Sequence, residues 1–143
     1  QVENIKNTNY STIVDLDVTS PLRNVDDIIN SVEMLEKSNS PNLITGCSSR
    51  RSPYFNLVEK NKSGFVQLSK KISNKIVCRQ DSPLCFDMNA SIYIWKRKFF
   101  YNIEDILLDK TIIYEMPEER SIDVDSKFDL KIVKFLMENN DEL

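Results

Sequence analysis

Four short stretches carry side chains that could do chemistry. Asp17-Val-Thr-Ser-Pro-Leu-Arg23 sets a carboxylate, two hydroxyls and a guanidinium around a proline. Ser121-Ile-Asp-Val-Asp125 has two carboxylates two positions apart, a spacing that puts both on one side of an extended segment. Such a pair suits Mg²⁺, which takes oxygen ligands and is commonly held by one or two carboxylates together with substrate phosphates. Asn89-Ala-Ser-Ile-Tyr-Ile94 offers an amide and a phenol, and Arg79-Gln80 a planar guanidinium fork of the kind that pairs with carboxylate or phosphate. Each stretch alone also has an ordinary reading. Thr19, Ser20 and Pro21 can simply shape a turn, Arg23 and Arg79 can be solvated, Asp123 and Asp125 can be an exposed strand end, and Tyr93 a strand aromatic.

The chain has no histidine, which excludes Ser-His-Asp and Cys-His catalysis and histidine metal sites. Chemistry must rest on carboxylates, Arg, Lys, Tyr or an oxygen-ligated metal. The three cysteines, Cys47, Cys78 and Cys85, show no CxxC spacing and are expected to be reduced thiols in the cytoplasm. With a net charge of −3 and one basic run, Lys96-Arg-Lys98, the 143 residues lack the footprint of a nucleic-acid binder. No apolar run approaches the roughly 20 residues a membrane helix needs.

The elements that must position these groups follow from periodicity. Thr12–Asp17 reads as a buried strand, with the first motif in the turn that follows it. Asn24 is expected to cap a helix over 25–38, with Val25, Ile28, Ile29, Val32 and Leu35 inward. A strand at Leu43–Cys47 precedes a polar excursion over 48–87, where Phe55–Glu59 and Phe65–Leu68 flank a turn signal at 61–64 as a hairpin. Strands at Ala90–Trp95 and Thr111–Met116 bracket a short helix capped by Asn102. Ser126, with Asp129 three residues on, opens a last helix with Phe128, Ile132, Phe135 and Leu136 inward. The order β-α-β, excursion, β-α-β-α argues an α/β domain in which helices cover a sheet.

Taken together and in order, Thr-Ser-Pro-Leu-Arg23, Arg79-Gln80, Asn89-x-x-Ile-Tyr-Ile94 and Ser121-Ile-Asp-x-Asp125 resemble the acylneuraminate cytidylyltransferases, over about Thr12 to Met137. The resemblance implies a Rossmann-like nucleotide-diphospho-sugar transferase fold. It implies transfer of CMP from CTP to a nine-carbon sugar acid, with pyrophosphate leaving, and a cytoplasmic homodimer. It assigns Asp123 and Asp125 to catalysis and to Mg²⁺ or Mn²⁺. Asp17, Thr19, Ser20, Arg23, Arg79, Gln80, Asn89 and Tyr93 are assigned to substrate binding, and residues 48–87 to a protruding dimerisation arm.

Three departures point away from sialic acid and toward bacterial members that use legionaminic-acid-like sugars. Asp17 stands where many sialic acid members have glutamine, Ala90-Ser91 stands where Gly-Ala is usual, and Phe55 stands where some have lysine. The family's glycine-lysine loop around the CTP phosphates has no counterpart, the only glycines being Gly46 and Gly64. The expectation is therefore the C-terminal portion of such an enzyme, inactive by itself. A relative that activates the eight-carbon acid of lipopolysaccharide, or a non-catalytic sugar-binding or dimerisation module, are the alternatives.

Overall fold

The computed structural model describes residues 2–71, 79–101 and 105–139. These fall into two compact units, one formed by 1–47 with 88–143 and the other by Ser48–Asp87. The first unit contains α1 (Val2–Lys6), β1 (Thr12–Leu16), α2 (Val25–Lys37) and β2 (Asn42–Ser48). The second holds β3 (Val58–Lys60) and β4 (Val66–Leu68), and the chain then returns through β5 (Phe86–Lys96), α3 (Arg97–Phe100), β6 (Ile112–Glu115) and α4 (Lys127–Asn139).

The main sheet has the order β1-β5-β2-β6. β1 runs antiparallel to β5, from Thr12 opposite Lys96 to Leu16 opposite Ile92. β2 and β6 are parallel, Leu43 opposite Ile112 and Gly46 opposite Glu115. The sheet is thus mixed. Its core is Leu35, Leu43, Ile92, Ile94 and Met116, with Ile28 and Val32 of α2 and Ile112 and Tyr114 of β6 packed against it. Among the described residues β1 is an edge strand instead of a buried one, and its Val14, Asp15 and Leu16 are exposed.

Asn24 caps α2 reciprocally. Its side-chain oxygen accepts from the Asp27 N–H, and the Asp27 carboxylate accepts from the Asn24 N–H. Of the expected stripe of α2, Ile28, Val32 and Leu35 face the core, while Val25 and Ile29 are exposed and Asp27 and Ser31 are buried. Arg120 donates from Nε and Nη2 to the buried Asp27 carboxylate at 2.9 Å each. In α4 the expected cap is present, with Ser126 Oγ accepting from the Asp129 N–H. Its buried residue is Val133, whereas Phe128 and Phe135 are exposed. The expected cap at Asn102 lies outside the described residues, and residues 105–108 are not helical.

In the second unit β3 and β4 pair antiparallel around the turn at 61–64, Val58 opposite Leu68 and Lys60 opposite Val66. Asn61 closes that turn by accepting from the Ser63 and Phe65 N–H groups, and Gly64 supplies the positive φ of 90°. Val58, Phe65 and Val66 are more than half exposed on this hairpin.

The charge pattern makes a pH prediction. Hydrogen bonds hold four carboxyls below their ordinary range: Glu3 from the Tyr10 N–H and Arg97, Asp17 from the Thr19 N–H and hydroxyl, Glu33 from Lys37, and Asp129 from the Ser126 hydroxyl. A depressed folded pKa contributes stability that is full above the unfolded value, about 4, and is lost as pH falls through the folded one. No histidine titrates between. Thermal unfolding is expected to hold its midpoint from about pH 8 to 6 and to lose it below about pH 4.5. A midpoint that rises on acidification would contradict this.

Candidate active site

The site forms where the C-terminal end of β1 meets the N-terminal half of β5 and the segment after β6. Asp17 directly follows β1, and its N–H donates to the Ser91 carbonyl. Its carboxylate accepts from both the N–H and the hydroxyl of Thr19, each at 2.9 Å, an Asx turn that fixes the loop. The same Thr19 hydroxyl lies 2.5 Å from Asp123 Oδ1. One hydroxyl proton therefore faces two carboxylates. Ser20, fully buried, sets its hydroxyl 3.1 Å from both Asp123 Oδ1 and the Asn89 carbonyl. The Val124 N–H donates to the Thr19 carbonyl, so the two motif segments are tied by backbone as well as side chain.

Arg23 is half-buried and bonded to the backbone around it. Its Nη1 faces the carbonyls of Asp17, Ser20 and Ser91 at 2.6, 3.0 and 3.2 Å, stapling the first motif to β5. Tyr93 lies across from Asp15 in the sheet register and stacks on Trp95 with centroids 6.0 Å apart. Burial, and then the charges of Asp17, Asp123 and Asp15, push its phenol above the ordinary range. At neutral pH it is a hydrogen-bond donor. Asp17, by contrast, stays ionised because the Thr19 N–H and hydroxyl stabilise its charge.

Asp123 is half-buried and Asp125 exposed. No group of three or more His, Cys, Asp or Glu among the described residues could hold a metal by itself. That is compatible with an ion of the Mg²⁺ kind, which completes its shell with water and substrate phosphate. The donors present are hard oxygens, and two carboxylates facing one hydroxyl proton leave negative charge for a cation to offset.

Eight of the ten residues singled out from sequence are thus in the first unit. Arg79 and Gln80 belong to the second, in a 3₁₀ turn at Arg79–Asp81. Gln80 lines a cleft of about 300 Å³ together with Ser48, Ser49, Ser52, Ser82 and Cys85. Two clefts of about 540 Å³ lie at the other end of β1, around Tyr10, Thr12 and Arg97. Sequence reasoning missed Thr45, Ser121, Asp27 and Arg120, which hold the site from beneath. The expected cap at Asn24 lies near Asp27, and nothing in that stretch of sequence signals Arg120.

Ala90 has φ +48°, in the left-handed region. A Cβ there costs about 1–2 kcal/mol that glycine avoids. Its neighbour Ser91 is fully buried with an unpartnered hydroxyl. Ala90→Gly is expected to stabilise by about 0.5–1 kcal/mol after the extra unfolded-state entropy is counted. Ser91→Ala is expected to add about 1 kcal/mol by removing the orphan group. Urea unfolding of the single and double variants checks both, and a double variant less stable than the parent would contradict them.

No family model matches the chain. It is 44% identical over 128 residues to post-translational flagellin modification protein B of Campylobacter coli, covering 90% of this chain and 53% of that protein. It is 40% identical over 133 residues to CMP-N,N'-diacetyllegionaminic acid synthase of Campylobacter jejuni, covering 91% of this chain and 54% of that protein. This chain is a homologue of both. It spans about half the length of these relatives. Its fold is that of the solved 4-diphosphocytidyl-2C-methyl-D-erythritol synthase of Anaerococcus prevotii. The two match at a TM-score of 0.58 and 11% identity, over 96% of this chain and 64% of that one. The expected α/β architecture and the homology to a CMP-N,N'-diacetyllegionaminic acid synthase therefore stand on independent findings.

Proposed function

We propose that the whole protein transfers CMP from CTP to the anomeric hydroxyl of a nine-carbon sugar acid of the N,N'-diacetyllegionaminic type, releasing pyrophosphate. The observation that carries this reading is Asp123, held by Thr19 and Ser20 at the strand ends, in a chain 40% identical to a CMP-N,N'-diacetyllegionaminic acid synthase. Nucleotidyl transfer of this kind depends on positioning and on neutralising charge. Asp123 and Asp125 are the residues that would hold Mg²⁺ or Mn²⁺, which when bound offsets phosphate charge. Either carboxylate can also take the proton of the attacking hydroxyl.

Asp17, with only acceptor oxygens, suits an N–H of an acylamino sugar. Tyr93 is a neutral donor beside it. Arg79 and Gln80 serve the sugar acid from the 48–87 unit, which we assign to homodimer formation. The exposed Val58, Phe65 and Val66 of its hairpin support that role. Among the described residues no helix is long and apolar enough to cross a membrane.

The test is a substrate panel with the full-length protein, CTP and Mg²⁺. N,N'-Diacetyllegionaminic acid is expected to be converted at least tenfold more efficiently than N-acetylneuraminic acid or 3-deoxy-octulosonate. Equal or better use of either of the latter would overturn the sugar assignment, and binding of the sugar without conversion would favour a non-catalytic module.

A further inference from the structure

We propose that Thr45 and Asn89 are positioning residues, links in a buried hydrogen-bonded chain through Ser121 that sets Ser20 and Asp123 for reaction. This rests on the cytidylyltransferase reading above. It also gives Asn89 a different role from the substrate contact that the sequence resemblance implies.

The amide of Asn89 is saturated by protein partners. A primary amide has two N–H donors and two acceptor lone pairs. Asn89 is 4% exposed and all four are occupied by protein. Oδ1 accepts from the Thr45 hydroxyl at 2.7 Å and the Ser91 N–H at 3.2 Å. Nδ2 donates to Ser121 Oγ at 3.0 Å and to Met116 Sδ at 3.3 Å. Nothing is left for a sugar.

The chain has a preferred direction as well. The Ile92 N–H donates to Thr45 Oγ at 2.9 Å, and of the two acceptors beside the Thr45 hydroxyl, Asn89 Oδ1 at 2.7 Å is closer than the Ile92 carbonyl at 3.2 Å. That turns Nδ2 to Ser121, whose own hydroxyl donates to the Pro117 carbonyl at 2.7 Å. Thr45 stands in β2, Asn89 in β5, and Ser121 two residues before Asp123 on the segment after β6. The Asn89 carbonyl is the second anchor of Ser20, the hydroxyl that reaches Asp123. Buried, satisfied networks of this kind rigidify what they join. Positioning errors of about 1 Å can cost roughly a hundredfold in rate.

Thr45→Val, Thr45→Ser and Asn89→Asp in the full-length protein test this. Thr45→Val keeps the shape and removes the hydroxyl. It is expected to lower kcat about tenfold or more with KM for CTP and sugar acid within about twofold, and to speed amide exchange across 117–126 about tenfold. Thr45→Ser is expected to restore both to within about twofold. Asn89→Asp, which loses the donors to Ser121, is expected to behave as Thr45→Val does. A rise confined to the sugar-acid KM in Asn89→Asp overturns the proposal, as does unchanged exchange or unchanged kcat in Thr45→Val. If Thr45→Val fails to fold, the Thr45→Ser and Asn89→Asp pair decides. A wild-type protein without transferase activity removes the functional reading alone, and the exchange comparison still decides whether the chain holds the Asp123 segment.

Discussion

Asp123→Asn in the full-length protein is expected to lower CMP-sugar formation by about a hundredfold or more while leaving the fold within about 1 kcal/mol of the parent. The two halves of that statement come from different atoms. The Asn oxygen can still accept from Thr19 and Ser20, which both face Oδ1 in the parent, so the local geometry has no reason to collapse. The charge is what disappears, and charge is what a phosphate-bound cation or an acidic sugar hydroxyl requires. Asp125→Asn is expected to lower the rate as well, with still less effect on stability, because that side chain is exposed. Steady-state rates beside urea unfolding separate the effects. Activity of Asp123→Asn within twofold of the parent would remove Asp123 from the chemistry.

Asp27→Ala is the largest expected stability effect. The Asp27 carboxylate is 1% exposed and has three donors: Nε and Nη2 of Arg120 and the N–H of Asn24. Its loss strips the α2 cap of one partner and leaves a guanidinium, itself only 23% exposed, without its counter-charge. Breaking a buried pair from one side costs about 3–5 kcal/mol. The pairing also raises the Arg120 pKa, chiefly through the hydrogen bonds to Asp27, so the cation cannot escape by losing its proton. Arg120→Ala and the double variant close a thermodynamic cycle, with a coupling of about 2–3 kcal/mol expected. Arg120 adjoins Ser121, so the same substitution should loosen the Asp123 segment and depress activity beyond what unfolding explains. A loss under about 1 kcal/mol, or strict additivity, would show that the pair does not clamp this segment.

Local chemistry in the chain was a good guide to what local chemistry controls. The Asn24 and Ser126 caps, the hairpin around 61–64 and the strands at 12–16 and 42–48 all follow from neighbours a few residues apart. What sequence spacing hides is long-range pairing. Asp27 meets Arg120 across 93 residues and Thr19 meets Asp123 across 104. No periodicity announces such a partner. The α2 stripe shows the consequence: Ile28, Val32 and Leu35 face the core as expected, but the Asp27–Arg120 pair shares that side and Val25 and Ile29 are exposed. The candidate site was legible in residue types because its motifs are contiguous. The carbonyl contacts of Arg23 and the protein-bonded amide of Asn89 were not, because such groups look the same in sequence as free ones.

The central claim is that this chain holds the Asp17–Thr19–Asp123 site of a CMP-transferring enzyme. The most direct test is pyrophosphate release by the full-length wild-type protein supplied with CTP and Mg²⁺, with and without N,N'-diacetyllegionaminic acid. Release that requires the sugar acid, matches CMP-sugar formed mole for mole and is lost in Asp123→Asn is the predicted result. Release independent of the sugar, or none with any nonulosonate, would contradict it.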